Sequence, residues 1–576
     1  MSIALFAIPA ILLLLTLLAP RLMATPEIMV RVTDRYTGQH IAAAEVLVDG
    51  ANMSAVDDGM VPVILAQETV ALQVQAPGYE GVTTTLSRGG PAEWQVALRP
   101  NVLTGRLLDA ETSTGIAGAD VVLTASAGVE QATTTDADGQ FAFDGVPSDA
   151  TVRFSSPDYG VVEERVGERT RIELAMKPSV VTGQVTDASG APLAGARVAA
   201  ANGSAETVTG PDGTFRLTGG TDVREVLVTA PGFGAQTIAV DASRQVAARL
   251  DAEMIKAIYA NLGVLGDQER WNRLLEIADT TEINAIVVDV KQDTIYYDTQ
   301  VQFFREIDGM VTPVIDIKSI LAQLDERGIY SIARMVVFKD PVVAAGRPDL
   351  AVTDEVTGEP WLDMNGTPWV NAFEQELWEA NADLGAELAA LGFDEVQYDY
   401  IRFPSDGDLR TADFGPDYSE QARREAIIGA VALGGEKIRA AGANFAIDLF
   451  PIVALMGDDQ GIGQTLQDLT PLADYVCLMI YPSHYERGNI PVEGHPNDFP
   501  AETVTYTLQR SQELTPGTMM KQRPWLQDFT YPLEGYSAYG PEEVRAQIDA
   551  AEAMGVSGWI LWNAAGEFHA EALKPE

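Results

Sequence analysis

The chain has 576 residues, 46% hydrophobic and 21% charged, which supplies apolar material for several packed domains and excludes wholesale disorder. Its 83 acidic residues outweigh 38 basic ones, for a formal net charge of −45. Such a surface repels phosphate backbones, so nucleic acid is not expected as a partner, and a neutral or partly cationic polymer suits it better than an anionic one.

From the N-terminus, residues 3–20 form an uncharged apolar run long enough to cross a bilayer. No Lys or Arg precedes it, and Leu22-Met-Ala24 is a poor cleavage match. Residues 1–24 are therefore read as either a membrane anchor through 3–20 or a cleaved signal peptide. Both place the protein outside the cytoplasm, membrane-anchored or periplasmic or secreted.

Residues 25–250 read as short strands between Gly, Asp and Pro turns, and they repeat. Gly105-Arg-Leu-Leu-Asp109 recurs as Gly183-Gln-Val-Thr-Asp187, and Thr135-Asp-Ala-Asp-Gly-Gln-Phe141 as Thr209-Gly-Pro-Asp-Gly-Thr-Phe215. A fainter copy runs through Val30-Arg-Val-Thr-Asp34. Three tandem β-sandwiches follow: a degenerate one over 25–100, then 101–178 and 179–250. Asp138-Gly139 and Asp212-Gly213 are expected to form hairpin tips, with Asp136 and Asp138 as turn formers rather than calcium ligands. The units resemble carboxypeptidase regulatory-like (transthyretin-like) domains. That resemblance implies stalks or binding accessories, without peptidase chemistry.

Residues 251–576 alternate strands with helices. Strand candidates lie at 255–260, 285–291, 330–338, 395–403, 445–452, 475–481, 521–529 and 558–562. Helical segments such as 269–278, 317–327, 374–391, 420–440 and 541–554 separate them. Eight βα units in this length predict a (β/α)₈ TIM barrel. Asn261-Leu-Gly-Val-Leu-Gly266 lacks the spacing of a dinucleotide loop, so an open Rossmann-type sheet is disfavoured. The whole chain is thus read as multidomain: a hydrophobic N-terminal helix, tandem all-β sandwiches and a C-terminal barrel.

Active sites of such barrels lie at the C-terminal strand ends, and these strands turn polar and aromatic there. Asp399, Asp448 and Asp528 stand on strands four, five and seven. Glycosidic cleavage needs one carboxylate as nucleophile or base and a second, with raised pKa, as acid. Asp399 is assigned as nucleophile or charge stabiliser. Asp448 is the first choice for acid/base and Asp528 the second. Asp289, Lys291, Arg334, Lys339, Arg402, His484, Gln527 and Asn563 are read as polar substrate contacts. Tyr398, Tyr400, Tyr481, Trp525 and Trp562 are read as sugar-stacking rings. Asp394 and Glu395, at the start of strand four, belong to the stability face.

A single cysteine, Cys477, excludes an intrachain disulfide and sits in an apolar run that reads as core. Four histidines without a close pair give no metal site of the usual ligand set, and no cofactor is expected. Three long motifs then become recognisable: Ile329 to Pro341, Leu391 to Gly407 and Arg523-Pro-Trp-Leu-Gln-Asp-Phe529. They closely resemble the bacterial "putative glycosyl hydrolase" domain family. The resemblance implies a TIM-barrel glycosidase. It also places Trp361 and Trp369 in an aromatic segment expected to form a sugar-stacking wall after strand three. An exported glycoside hydrolase acting on cell-envelope or extracellular polysaccharide is the leading expectation. A non-catalytic carbohydrate-binding or structural envelope protein is the alternative. A metal-dependent deacetylase would require His484 or His495 to meet Asp residues.

Overall fold

The computed structural model describes residues 27–575 except 55, 57, 58, 127, 220, 416 and 417. The apolar run 3–20, and with it the hydrophobic helix, anchor and signal readings, lies outside the described residues. Among those that are described, no helix is long and apolar enough to cross a membrane. The chain divides into two compact units. Among the described residues, one runs through residue 181 with the short segments 218–222 and 241–244, and the other comprises the remainder.

Three sandwiches share one topology. In each, a three-stranded sheet runs in the order fourth, first, seventh strand, and a four-stranded sheet in the order third, second, fifth, sixth. The first and seventh strands pair in parallel, as in Met29 with Glu93, Thr104 with Arg171 and Thr182 with Gln245. Period-two alternation fills the cores: Val70, Leu72 and Val74 are buried while their neighbours face solvent. The aspartate that ends each first strand is a repeated device. Asp34, Asp109 and Asp187 accept backbone N–H groups two to four residues ahead; the Thr37 N–H at Asp34, hydrogen bonds that outweigh burial at Asp109, and above all the Ser189 hydroxyl at Asp187 hold these carboxyls below the ordinary range.

The Asp-Gly turns depart from expectation. Asp136 does accept the N–H groups of Asp138 and Gln140, as a turn former. However, the strands flanking it, Glu130–Thr134 and Gln140–Asp144, belong to opposite sheets. The same holds for Glu206–Val208 and Thr214–Thr218 around Asp212-Gly213. These turns are arches that carry the chain across the sandwich, not hairpin tips. Gly139 and Gly213 take φ of +78° and +72°, and a Cβ there would lie 2.2 Å from Leu107 O and 2.4 Å from Val185 O. Glycine is required by that close approach as well as by the backbone angle.

Eight parallel strands close the C-terminal barrel: Ile255–Ala260, Ala285–Lys291, Tyr330–Val336, Glu395–Asp399, Asn444–Leu449, Tyr475–Ile480, Trp525–Gln527 and Gly558–Trp562. They are called barrel strands one to eight below. Ala257, Tyr259, Ala285, Val287, Ile332, Ala446, Cys477, Trp525 and Ile560 belong to the inner core. The intervening positions, such as Ile258, Ile286 and Val288, pack in a second layer with the surrounding helices. Burial pushes the Cys477 thiol well above its ordinary range, consistent with a structural role. At the stability end, Glu395 pairs with Arg523, both fully buried, and Asp394 accepts the Ser331 N–H at 2.8 Å.

Candidate active site

Barrel strands two to five deliver their C-terminal side chains to one point, the guanidinium of Arg334 on strand three. Arg334 Nη1 donates to Asp289 Oδ1 at 2.6 Å and to Gln292 Oε1 at 3.2 Å. Its Nε donates to Asp399 Oδ2 at 3.1 Å, and Nη2 reaches the same oxygen. Asp448 Oδ2 lies 4.0 Å from Nε. The 3.1 Å and 4.0 Å reaches from one nitrogen bound the separation of the Asp399 and Asp448 oxygens at about 7.1 Å.

Three carboxyls therefore surround one cation in a dry setting, and one cation cannot hold three full negative charges there. Burial first, and then the charge of Asp399, raises the Asp448 carboxyl well above the ordinary range, with Arg334 opposing. Asp448 Oδ1 accepts from Gln397 Nε2 and Trp525 Nε1, both at 2.7 Å. Its buried Oδ2 has no hydrogen-bond partner. Burial also raises Asp289, opposed by Arg334 and by the Tyr259 hydroxyl that donates to it. Asp399 is fixed from both sides, since its Oδ1 accepts the Tyr400 N–H at 2.6 Å. Tyr400 takes φ +51°, a costly angle for a tyrosine, and this ends strand four at Asp399 rather than at 403.

Two adjoining depressions open above this centre and share Arg334, Tyr400 and Trp562. The larger, about 900 Å³, is polar, with Tyr259, Asp289, Gln292 and Tyr296 among its walls. The smaller, about 390 Å³, has Asp399 and Trp525 in its lining, with Phe450, Met479, Tyr481 and His484. One polar lobe and one aromatic lobe on either side of a carboxylate centre can hold a sugar by hydrogen bonds and by ring stacking. Asp448 lines neither lobe and lies beneath the floor that Arg334, Asp399 and Trp525 make.

The structure thus brings together Asp289, Arg334, Asp399, Tyr400, Asp448, Tyr481, His484, Trp525 and Trp562. Other expected contacts lie elsewhere. Asp528 lines neither lobe; its carboxylate accepts the His569 backbone N–H at 3.0 Å and bonds the His569 ring. Tyr398 points outward, buried against Phe445 and the tightly apposed Gly434. Lys291 is fully buried on Asp340 at 2.7 Å, a structural pair. Gln527 spends its side chain on the Ser483 N–H and the Phe529 carbonyl, and Asn563 spends its own on the loop around Ala565 and Glu567. Trp361 and Trp369 form no open wall. They are 2% and 1% exposed, with Nε1 groups donating to Asp408 O and Asp363 Oδ2. Lys339 and Arg402 stand over the Trp369 and Tyr400 rings, and Lys339 pairs with Asp363 at 3.0 Å. Both brace Tyr400 rather than line either lobe.

Sequence reasoning missed Tyr259, Gln292, Tyr296, Phe450 and Met479. Alternation through Ile255, Ala257 and Tyr259 placed Tyr259 on the inner face and was the available signal. His484 Nδ1 meets Ser483 Oγ and His495 Nδ1 accepts the Asn497 N–H, so neither meets an aspartate. Among the described residues no group of three or more His, Cys, Asp or Glu side chains is placed to hold a metal.

The family described as "Putative glycosyl hydrolase domain" matches residues 257–568, and the carboxypeptidase regulatory-like domain matches 102–177 and 180–254. A hypothetical protein from Ruminiclostridium thermocellum ATCC 27405 is 31% identical over 33% of this chain and 96% of its own, with a TM-score of 0.30. The PgaB (BpsB) glycoside hydrolase domain from Bordetella bronchiseptica is 14% identical over 56% of this chain and 99% of its own, with a TM-score of 0.43. A class V chitinase from Pseudomonas fluorescens Pf-5 is 12% identical over 55% of this chain and 98% of its own, with a TM-score of 0.34. No curated protein matches the chain.

Proposed function

We propose a glycoside hydrolase, on the premise that the chain belongs to the "Putative glycosyl hydrolase domain" family, which matches more than half of it. The observation that carries this reading is the carboxyl centre around Arg334. Asp399 is held by Arg334 and the Tyr400 N–H, as a nucleophile or charge stabiliser must be. Asp448 is a buried acid of raised pKa within about 7.1 Å, with one oxygen unpartnered. In the reaction, Asp448, brought within hydrogen-bond reach by movement of the floor above it, gives its proton to the departing glycosidic oxygen while Asp399 meets the positive charge growing on the ring. Water then bonds to the anomeric carbon and gives a proton to Asp448, which replaces the glycosidic bond by a C–OH bond and restores the acid. Arg334 orients both groups. Tyr481, Trp525 and Trp562 stack on the sugar, and Asp289 with Gln292 accepts its hydroxyls.

The substrate on this reading is a cell-envelope or extracellular polysaccharide, neutral or partly cationic, as the net charge of −45 favours. The protein acts outside the cytoplasm. Residues 3–20 address it there, as a membrane anchor if uncleaved, and the sandwiches serve as spacer or glycan-binding arm. One observation favours a second reading, a non-catalytic carbohydrate-binding barrel: Asp448 is 1% exposed and roofed by the pocket floor. Release of reducing ends from a panel of envelope and secreted polysaccharides by the full chain separates the two. Cleavage that Asp448→Asn abolishes supports the hydrolase. Retention of a polysaccharide that is never cut supports the binding barrel.

A further inference from the structure

Beyond the pocket, a succession of ring contacts continues over the loops that follow barrel strands six and seven. Trp562 and Tyr481, both in the pocket wall, have ring centroids 5.3 Å apart. Tyr481 is 5.6 Å from His484, and His484 is 5.4 Å from Tyr531. Tyr531 is 4.9 Å from Tyr536, and Tyr536 is 4.7 Å from His495. Each step is on the scale of one sugar ring. The outer pairs meet at 64°, 57° and 67°, edge to face or tilted, so each contact covers at most one face of one ring and leaves the opposite face of that ring out of the pair. His484 is exposed, and Tyr531, Tyr536 and His495 are half-buried.

This arrangement is built rather than incidental. Asn497 Nδ2 donates to Ser537 O at 3.0 Å, Ser537 Oγ to Asp498 Oδ1 at 2.5 Å, and the Tyr539 hydroxyl to Asn497 O at 3.2 Å. The two loops are thereby locked to each other, and their rings are held in place before anything binds. The rings nearest the pocket, Trp562 and Tyr481, pack with Phe529 at 5.1 and 6.2 Å, whereas Tyr531, Tyr536 and His495 stay half-buried on the loops, where a sugar can reach them.

We infer that Tyr531, Tyr536 and His495, continuing from His484 and Tyr481, form an extended binding platform for the distal sugars of a glycan chain whose scissile part sits over Asp399. This rests on the hydrolase reading and deepens it, since such a platform makes the enzyme one that grips a polymer away from its cut site. Aromatic faces suit the apolar faces of pyranose rings.

Two assays on the full chain test it, using the Tyr531→Ala/Tyr536→Ala and Tyr531→Phe/Tyr536→Phe double variants. The first is retardation in gels containing soluble polysaccharides. The second is the cleavage rate on a long polymer against a short oligosaccharide of the same sugar. The Ala variant should lose about tenfold in retardation and in polymer cleavage, with short-substrate cleavage unchanged, and the Phe variant should behave as the parent. An Ala variant that keeps polymer affinity overturns the platform while leaving the hydrolase reading standing. A Phe variant as weak as the Ala variant overturns it too, because hydroxyls and not ring faces would then carry the binding. Polymer retained through these rings but never cut would uphold the platform and sink the hydrolase reading.

Discussion

Replacing Arg334 by Met removes the one cation shared by Asp289, Asp399 and Asp448 while keeping an unbranched chain in the space. Arg334 is 7% exposed and makes ion pairs with Asp289 and Asp399, so the loss strands buried carboxyls. Removing one partner of a buried pair costs about 3–5 kcal/mol. A barrel of roughly 300 residues unfolds with about 0.6 kcal/mol/K of entropy, so Tm should fall by roughly 5–8 °C. The sign with pH follows from the direction of the shifts. Burial already holds Asp289 and Asp448 above their unfolded values, and Arg334 is the largest of the groups that oppose it. Without that opposition the folded carboxyls titrate higher still. Their stability is then complete in acid, below the unfolded pKa, and is lost as pH rises through the folded values. Thermal melts of parent and variant at about pH 3.5, just below the unfolded carboxyl value of about 3.9, and at about pH 8 should show a small deficit in acid and the full deficit in base. A deficit equal at both pH values, or under about 1 °C at the higher one, would refute the three-carboxyl account.

Three further outcomes follow from the same geometry. With Asp448 as proton donor, kcat/KM should fall as pH rises through its raised pKa, and Asp448→Asn should abolish that alkaline limb together with at least about 99% of the rate. Asp528→Asn should cost about 1–3 kcal/mol in denaturant melts, because it weakens the buried bonds to His569, yet leave kcat within about threefold. Arg523→Met should cost about 3–5 kcal/mol by stranding Glu395 under the barrel, and adding Glu395→Leu should recover most of it; a double variant no better than the single would contradict a simple stranded charge.

The barrel was legible because its strands are fully buried runs bounded by polar turns. Strands one, two and eight end where the sequence places them. Strand four does not. Gln-Tyr-Asp-Tyr-Ile-Arg-Phe reads as extended throughout, and nothing local announces that Tyr400 takes a left-handed angle, which the surrounding Lys339, Trp369 and Arg402 hold in place. That one residue also overturns the alternation that would send Tyr398 and Tyr400 to the same face. Asp399 and Arg334 could be placed at strand ends from pattern alone. That Asp528 is bound to His569, 41 residues later, could not, because the partner comes from a distant segment. Trp361 and Trp369 match a motif, but motif composition cannot distinguish rings that face a substrate from rings that support the residue that does. The sandwich turns were misread for a similar reason. Asp-Gly fixes a tight local turn, while the sheet each flanking strand joins is decided by tertiary packing.

The account stands most directly on Asp399. On a polysaccharide that the full chain cleaves, kcat/KM of Asp399→Asn should be at least about a hundredfold below the parent, with polymer binding retained. A variant within about threefold of the parent would remove Asp399 from the chemistry and contradict the carboxyl centre as the active site.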